Sequence, residues 1–197
     1  WGVIFTCLTV RAVHLEVAHS LSRDSCVKAI ENFVARRGVP KEFRYDNGTN
    51  FVAAAKVYRG PFGDRPQWIF NPPAAPHMGG AWERLVRSVK QALRQLEMPK
   101  QPTDEELRNF LLKAEHMINS RPLTDVPLEN EDSESLTPNH FLMGSSSGRR
   151  VETKNTDLNS IWSEQQTTLR QFWKKWIAEY LPSIAVRPKW NLPIAKI

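Results

Sequence analysis

Cysteine is scarce in this sequence of 197 residues, in which Cys7 and Cys26 are the only two. They form no CxxC pair, and no histidine stands at zinc-ligand spacing from them, so neither a disulfide framework nor a structural zinc site is expected. Both lie among apolar residues, which predicts buried free thiols in a protein of a reducing compartment.

Long apolar runs are also lacking, because no stretch reaches the length of a membrane-spanning helix, and we expect no signal peptide. The sequence has no Gly-x-Ser-x-Gly elbow, no HExxH pair and no phosphate-cradling glycine loop, so those enzyme classes gain no support. What is present is a hydrophobic content of 41%, sufficient for a core, and a net charge of +6. That charge favours a polyanionic partner.

Apolar periodicity predicts strands at residues 3–10, 12–18, 42–45 and 67–70, and helices at about 22–37, 51–58, 82–96, 104–118 and from 157. This order fits an α/β domain with a mixed sheet. We predict a core at 1–143, a linker at 144–156 from its glycine and serine content, and a C-terminal helical region at 157–197. Four of the seven tryptophans follow residue 160, so this last region must pack aromatic surface.

The most informative stretch is residues 70–90, where a proline-rich loop leads into an amphipathic helix. Along this helix Glu83, Arg87, Lys90 and Arg94 recur at the spacing of one face. A carboxylate at a helix start, with a cationic track leading away from it, suggests a site for metal and phosphate. An ordinary solvated face with i,i+4 ion pairs is the alternative.

A second carboxylate, Asp46, ends a predicted strand and opens a turn. Functional side chains often lie at such places, and an Asx turn is the structural alternative. Two-metal phosphoryl transfer uses several carboxylates, because hard cations prefer oxygen ligands. Asp46 and Glu83 would supply only part of that set.

Two motifs carry a specific resemblance: Asp-Asn-Gly-Thr-Asn-Phe at 46–51, and the run from Asn-Pro-Pro-Ala-Ala-Pro through Trp-Glu-Arg-Leu-Val-Arg-Ser-Val-Lys at 71–90. Together they resemble the retroviral-type integrase core with its DDE triad, and in detail the integrases of BEL/Pao retrotransposons. Further similar runs are residues 2–16, 35–38, 118–123, 136–142, 172–176, 179–181 and 187–190. The resemblance therefore covers nearly the whole chain.

The resemblance implies an RNase H-like mixed sheet flanked by helices, and metal-dependent DNA integration through 3′-end processing and strand transfer. Asp46 matches the second catalytic Asp and Glu83 the catalytic Glu, both as ligands of Mg²⁺ or Mn²⁺. Nucleic-acid contacts are expected from Arg87, Lys90, Asn47, Asn50 and Arg94. The implied partners are element ends and target DNA, with a homo-oligomer in the intact protein, no membrane and a nuclear location.

The first catalytic Asp of that family has no match here, because no Asp precedes Asp24. We expect that Asp, and the first strand of the sheet, to lie upstream of Trp1, and activity to be lost without them. Whether this chain is an enzyme is therefore open. A catalytically silent DNA-binding module is one alternative, and a protein-interaction piece using the Trp-rich tail is another. In that tail Trp173 and Trp176 have the helical spacing of core residues, with base stacking as the alternative.

Overall fold

The structure is a computed structural model that describes residues 1–46, 48–60, 63, 65–72, 79–124, 135–146, 167, 170 and 172–184. The chain forms two compact units, Trp1–Arg121 and Pro122–Ile197. The first unit is a mixed α/β structure and the second is helical where it is described. Residues 147–166 lie outside the described residues, so the predicted linker and the start of the tail at 157 stay predictions.

Strands β1 (Gly2–Thr6) and β2 (Val13–Val17) form an antiparallel hairpin. The predicted first strand was too long, because the chain turns after Thr6. Cys7 closes this turn: its N–H donates to Ala12 O at 2.9 Å, and its C=O accepts from Arg11 N–H at 2.9 Å. The prediction that Cys7 is buried is also wrong, because this turn exposes it.

Helix α1 (Arg23–Arg37) has the ends that its sequence predicts. Ser22 Oγ accepts a hydrogen bond from Ser25 N–H at 3.2 Å and caps the first turn. Gly38 ends the helix at φ 85°, a conformation that favours glycine. Three shorter elements follow, β3 (Glu42–Tyr45), α2 (Thr49–Val57) and β4 (Gln67–Phe70), and β4 pairs with β3 in parallel.

Helix α1 connects the hairpin and the parallel pair, which form separate two-stranded sheets. The Phe33 ring of α1 stacks on Phe5 of β1 at 4.5 Å and tilts against Phe43 of β3 at 6.1 Å. Residues of α1 and α2 complete this core, in which the buried members are Cys26, Ile30, Val34, Ala54 and Tyr58. One aromatic layer thus holds both sheets in the same unit.

Helices α3 (Gly80–Gln95) and α4 (Asp104–Asn119) form a second core against the hairpin. Its buried members are Val13, Leu15, Leu85, Val89, Ala92, Leu111, Ala114 and Ile118. Helix α4 begins with the predicted capping box, in which Thr103 Oγ1 accepts from Glu106 N–H at 3.3 Å and Thr103 N–H donates to Glu106 Oε2 at 2.8 Å.

The outer edge of β2 is closed by α4 side chains. Asn119 accepts from Val13 N–H at 2.8 Å and donates to Val13 O at 2.7 Å, and Glu115 Oε2 accepts from Leu15 N–H at 2.8 Å. The backbone groups of Val13 and Leu15 therefore point away from β1. In an antiparallel pair the residues directly opposite, Thr6 and Ile4, then direct their own backbone groups away from β2. Among the described residues, no strand pairs with the other edge of β1.

The parallel pair leaves a free edge in the same way. Gln67 N–H donates to Lys41 O at 3.1 Å and Asn71 N–H donates to Tyr45 O at 3.0 Å. Since residues of a parallel strand alternate between its two sides, Glu42 and Arg44 direct their backbone groups away from β4. In the part of the chain that is described, no third strand joins either sheet.

The second unit contains α5 (Pro138–Met143), helical residues 172–175, a π-helical turn at Trp176–Tyr180 and α6 (Leu181–Ile184). Phe141 of α5 makes edge contacts with Phe172 and Trp176, each at 4.9 Å between ring centres. Trp176 therefore packs inward, as its spacing predicted, while Trp173 does not. No described helix of either unit combines the length and the apolar character that a bilayer crossing requires.

Candidate metal and nucleic-acid site

Asp46 lies directly after β3, and its carboxylate is exposed. Its Oδ1 accepts a hydrogen bond from Gly48 N–H at 3.0 Å, which is the Asx turn that the sequence offered as an alternative. The turn occupies one carboxylate oxygen and holds the side chain in one orientation. An Asx turn and a ligand role are compatible, because a carboxylate has two oxygens.

Gly48 lies close to two side-chain oxygens, so a Cβ has little room at this position. A Cβ at this position would lie 3.1 Å from Asp46 Oδ1 and 2.9 Å from Asn50 Oδ1. Both oxygens therefore lie about 3 Å from one point and no more than about 6 Å from each other. The turn places the Asp46 and Asn50 side chains near each other. Their role at a site stays a prediction, and Asn47 lies outside the described residues.

Glu83 is exposed in the first turn of α3, and its carboxylate turns back towards the start of the helix. Its Oε1 lies 3.0 Å from the place that a Cβ would take at Gly79, and the Trp82 ring lies 3.3 Å from the same place. The unpaired N–H groups and the positive end of the helix dipole favour an anion there. No side chain caps the start of α3, and Glu83 is the one acidic residue in its first turn.

Asp46 follows the carboxyl end of β3, and Glu83 comes later in the chain, after β4. Asn71 follows the same end of β4, where its N–H donates to Tyr45 O. Functional residues commonly gather at the carboxyl ends of parallel strands. Residues 73–78, which lead from this edge to α3, lie outside the described residues. Within the described ranges, no three His, Cys, Asp or Glu side chains form a group able to hold a metal ion.

The donor set is still informative about a metal. Asp46, Asn50 and Glu83 offer only oxygen atoms, and two of the three groups are anionic. Hard cations such as Mg²⁺ and Mn²⁺ prefer such ligands, whereas zinc is usually held by histidine and cysteine. By chemistry alone these side chains are of the type that a hard divalent cation prefers, and they include fewer carboxylates than a two-metal site uses.

The solvent face of α3 is basic and unpaired. Arg87, Lys90 and Arg94 are all exposed, and no ion pair with Glu83 or any other described residue occupies them. The alternative of a face neutralised by i,i+4 ion pairs is therefore not what the structure has. From Glu83 to Arg94 the helix rises about 16 Å, so the track spans several phosphates of a nucleic acid.

Polar residues in two of the matched runs, at 118–123 and 136–142, hold the backbone of other segments. Asn119 and Arg121 belong to the run at 118–123, and Arg121 Nη2 donates to Arg11 O at 2.6 Å. In the run at 136–142, the buried Asn139 donates to Ser146 O at 2.8 Å. A signal was available for Glu115 and Asn119, because each is a polar residue beside the apolar stripe of α4.

Comparisons with known proteins add one match. The family described as "Family of unknown function (DUF5641)" matches residues 160–197, a stretch that includes Trp173 and Trp176. No curated protein matches the chain. The match covers residues 160–197 and does not extend to Asp46 or Glu83.

Proposed function

We propose that this chain is a core region of a retrotransposon integrase that acts on DNA through metal-dependent phosphoryl transfer. The observation that carries the proposal is the order of two carboxylates along the chain relative to the parallel pair. Asp46 follows β3 and Glu83 opens the helix after β4, with an unpaired basic track on the same helix. These are the positions that the resemblance assigns to the second and third members of the triad.

The free strand edges support an RNase H-like fold. Among the described residues, the hairpin has an unpaired edge at β1, the parallel pair has one at β3, and α1 packs against both sheets. One further strand between β1 and β3 would join them into a five-stranded mixed sheet. In the integrases that the sequence resembles, the strand before β1 carries the first catalytic Asp.

Asp46 and Glu83 would hold Mg²⁺ or Mn²⁺, with the Asn50 oxygen close to Asp46. A bound divalent ion would lower the pKa of an attacking water or 3′-hydroxyl and stabilise the leaving oxygen. The Asx turn with Gly48 fixes Asp46 before any ion binds. Arg87, Lys90 and Arg94 would hold the phosphates along α3, so the DNA would run along the exposed face of the helix from the end that carries Glu83. A nuclear location and a multimeric assembly on two DNA ends follow from this proposal.

A DNA-binding module without catalysis is the second candidate. It is favoured by one observation, the absence of a three-carboxylate group among the described residues. The basic track on α3 serves this function unchanged, since phosphate binding requires no triad. The two candidates therefore share the DNA surface and differ in chemistry.

The experiment is duplex DNA binding by fluorescence anisotropy across a series of salt concentrations. The double variant Arg87→Glu with Lys90→Glu should weaken binding and reduce the slope of log K against log salt by about one unit per lost contact. Lys28→Glu is the control, because Lys28 is equally exposed on another helix. Equal losses in the control and the double variant would refute the α3 interface.

The chemistry needs a separate test. The coding sequence upstream of Trp1 should encode a strand with an Asp in frame, and the protein that includes it should join DNA ends with Mg²⁺ or Mn²⁺. Asp46→Asn in that protein should abolish joining and preserve DNA binding. Binding without joining in the unsubstituted protein would leave the silent module as the function.

A further inference from the structure

We propose that the last described helix carries a binding site for single-stranded nucleic acid, built on Trp173 with Arg170 and Lys174. The site lies in the second unit and is independent of the α3 interface. It does not depend on integrase chemistry. Nothing in the matched family description assigns a ligand to this region.

This helix has two apolar stripes, and only one is covered. The covered stripe contains Phe172, Trp176 and the fully packed Tyr180, with Phe141 against the first two. The other stripe contains Trp173, Ile177 and Leu181, at i, i+4 and i+8. Their exposed fractions are 49%, 61% and 44%. Contiguous exposed apolar residues of this kind usually mark an interaction surface.

Among the described residues, the charges next to the open stripe are positive. Arg170 stands three residues before Trp173 and Lys174 three residues before Ile177, the spacing at which helical side chains are neighbours. Both side chains are exposed, and neither has a partner among the described residues. Glu179, the one acidic residue in the described part of this helix, falls on the opposite side. The open face is therefore both apolar and cationic.

This combination selects the partner. A second copy of the chain would bring two more positive charges to the same face, which like-charge repulsion disfavours. A single strand of nucleic acid offers unstacked bases and a phosphate backbone together. The indole of Trp173 meets Phe172 edge to face, with ring centres 5.3 Å apart and planes at 83°. This contact fixes the indole while about half of the residue remains exposed to receive a base.

The test is the affinity of the full chain for a fluorescent oligothymidine of about 16 nucleotides. Trp173→Ala should weaken binding about fivefold to a hundredfold, the range expected for losing one base stack. Trp173→Phe should retain most of the affinity, because a smaller aromatic face still stacks. Arg170→Ala and Lys174→Ala should each weaken binding and lower its salt dependence. Trp1→Ala is the matched control, since Trp1 is 64% exposed in the other unit.

Two comparisons make the outcome decisive. Trp173→Ala should keep duplex binding, whereas Arg87→Glu with Lys90→Glu should lose it, so failure of either interface is seen separately. Unchanged oligothymidine affinity in Trp173→Ala, or an equal loss in Trp1→Ala, would overturn the proposal. If Trp173→Ala instead abolishes only the binding of an acidic amphipathic peptide, the face is a protein-docking surface and the proposal is wrong.

Discussion

Asn119→Ala is expected to destabilise the first unit severely, because one side chain satisfies both backbone groups of Val13. Val13 and Asn119 are each only 1% exposed, so water cannot replace the lost partner. The substitution removes an accepted bond of 2.8 Å and a donated bond of 2.7 Å. An unsatisfied buried group costs about 1–3 kcal/mol, and two such groups are left, so the expected loss is about 2–6 kcal/mol. That is a large part of the ~5–15 kcal/mol by which domains are stable.

The assay is urea unfolding followed by far-ultraviolet circular dichroism. Asn109→Ala is the control, because Asn109 is exposed on the same helix and its loss should change stability by about 0.5 kcal/mol or less. Asn119→Asp should destabilise at least as much, since a carboxylate cannot donate to Val13 O and its charge would be buried beside that oxygen. If Asn119→Ala and Asn109→Ala unfold at the same urea concentration, the closure of the β2 edge contributes nothing and the reasoning fails.

Three further predictions concern single groups. Burial raises the pKa of Cys26 to about 11, so iodoacetamide should modify the other, exposed cysteine quickly and Cys26 only after unfolding; similar rates would contradict this. Burial raises the pKa of Glu115, but hydrogen bonding to a histidine and a backbone amide outweighs it, so the pKa falls below its ordinary 4.5. The stability from this group is present above pH 4.5 and lost as the pH falls further, so Glu115→Gln should flatten the acid limb of the stability curve relative to the unsubstituted protein. Gly48→Ala should displace the Asp46 carboxylate and weaken Mn²⁺ binding about tenfold in calorimetry, whereas Gly80→Ala, which meets open space, should not.

Local signals made most elements predictable. The caps at Ser22 and Thr103 involve residues three apart, so the sequence contains everything that these helix ends require. The same is true of the Asx turn at Asp46, which needs only the glycine two residues later. The exposed basic face of α3 also followed from spacing, because the periodicity that buries Leu85 and Val89 turns the other face outward.

Contacts between distant residues were beyond sequence reasoning. Asn119 bonds to Val13 across 106 positions, and no local pattern reveals which polar residue of α4 meets which strand. The burial of Cys7 was predicted from its apolar neighbours, but the chain had already turned at that point. Helical spacing predicted that Trp173 and Trp176 would both be core residues. Only the packing of Phe141 shows that Trp176 is covered and Trp173 is not.

The closed edge of β2 also constrains the proposed fold. Because Glu115 and Asn119 occupy the backbone groups of β2 that face α4, an added strand cannot extend the hairpin on that side. It must pair with β1, through the backbone groups of Ile4 and Thr6 that point away from β2. A strand in that place lies on the side of the hairpin opposite α4. If it also meets the free edge of β3, its side chains come beside the strand that Asp46 follows. The hydrogen bonds of α4 therefore favour the one position from which a third carboxylate would complete the proposed metal site.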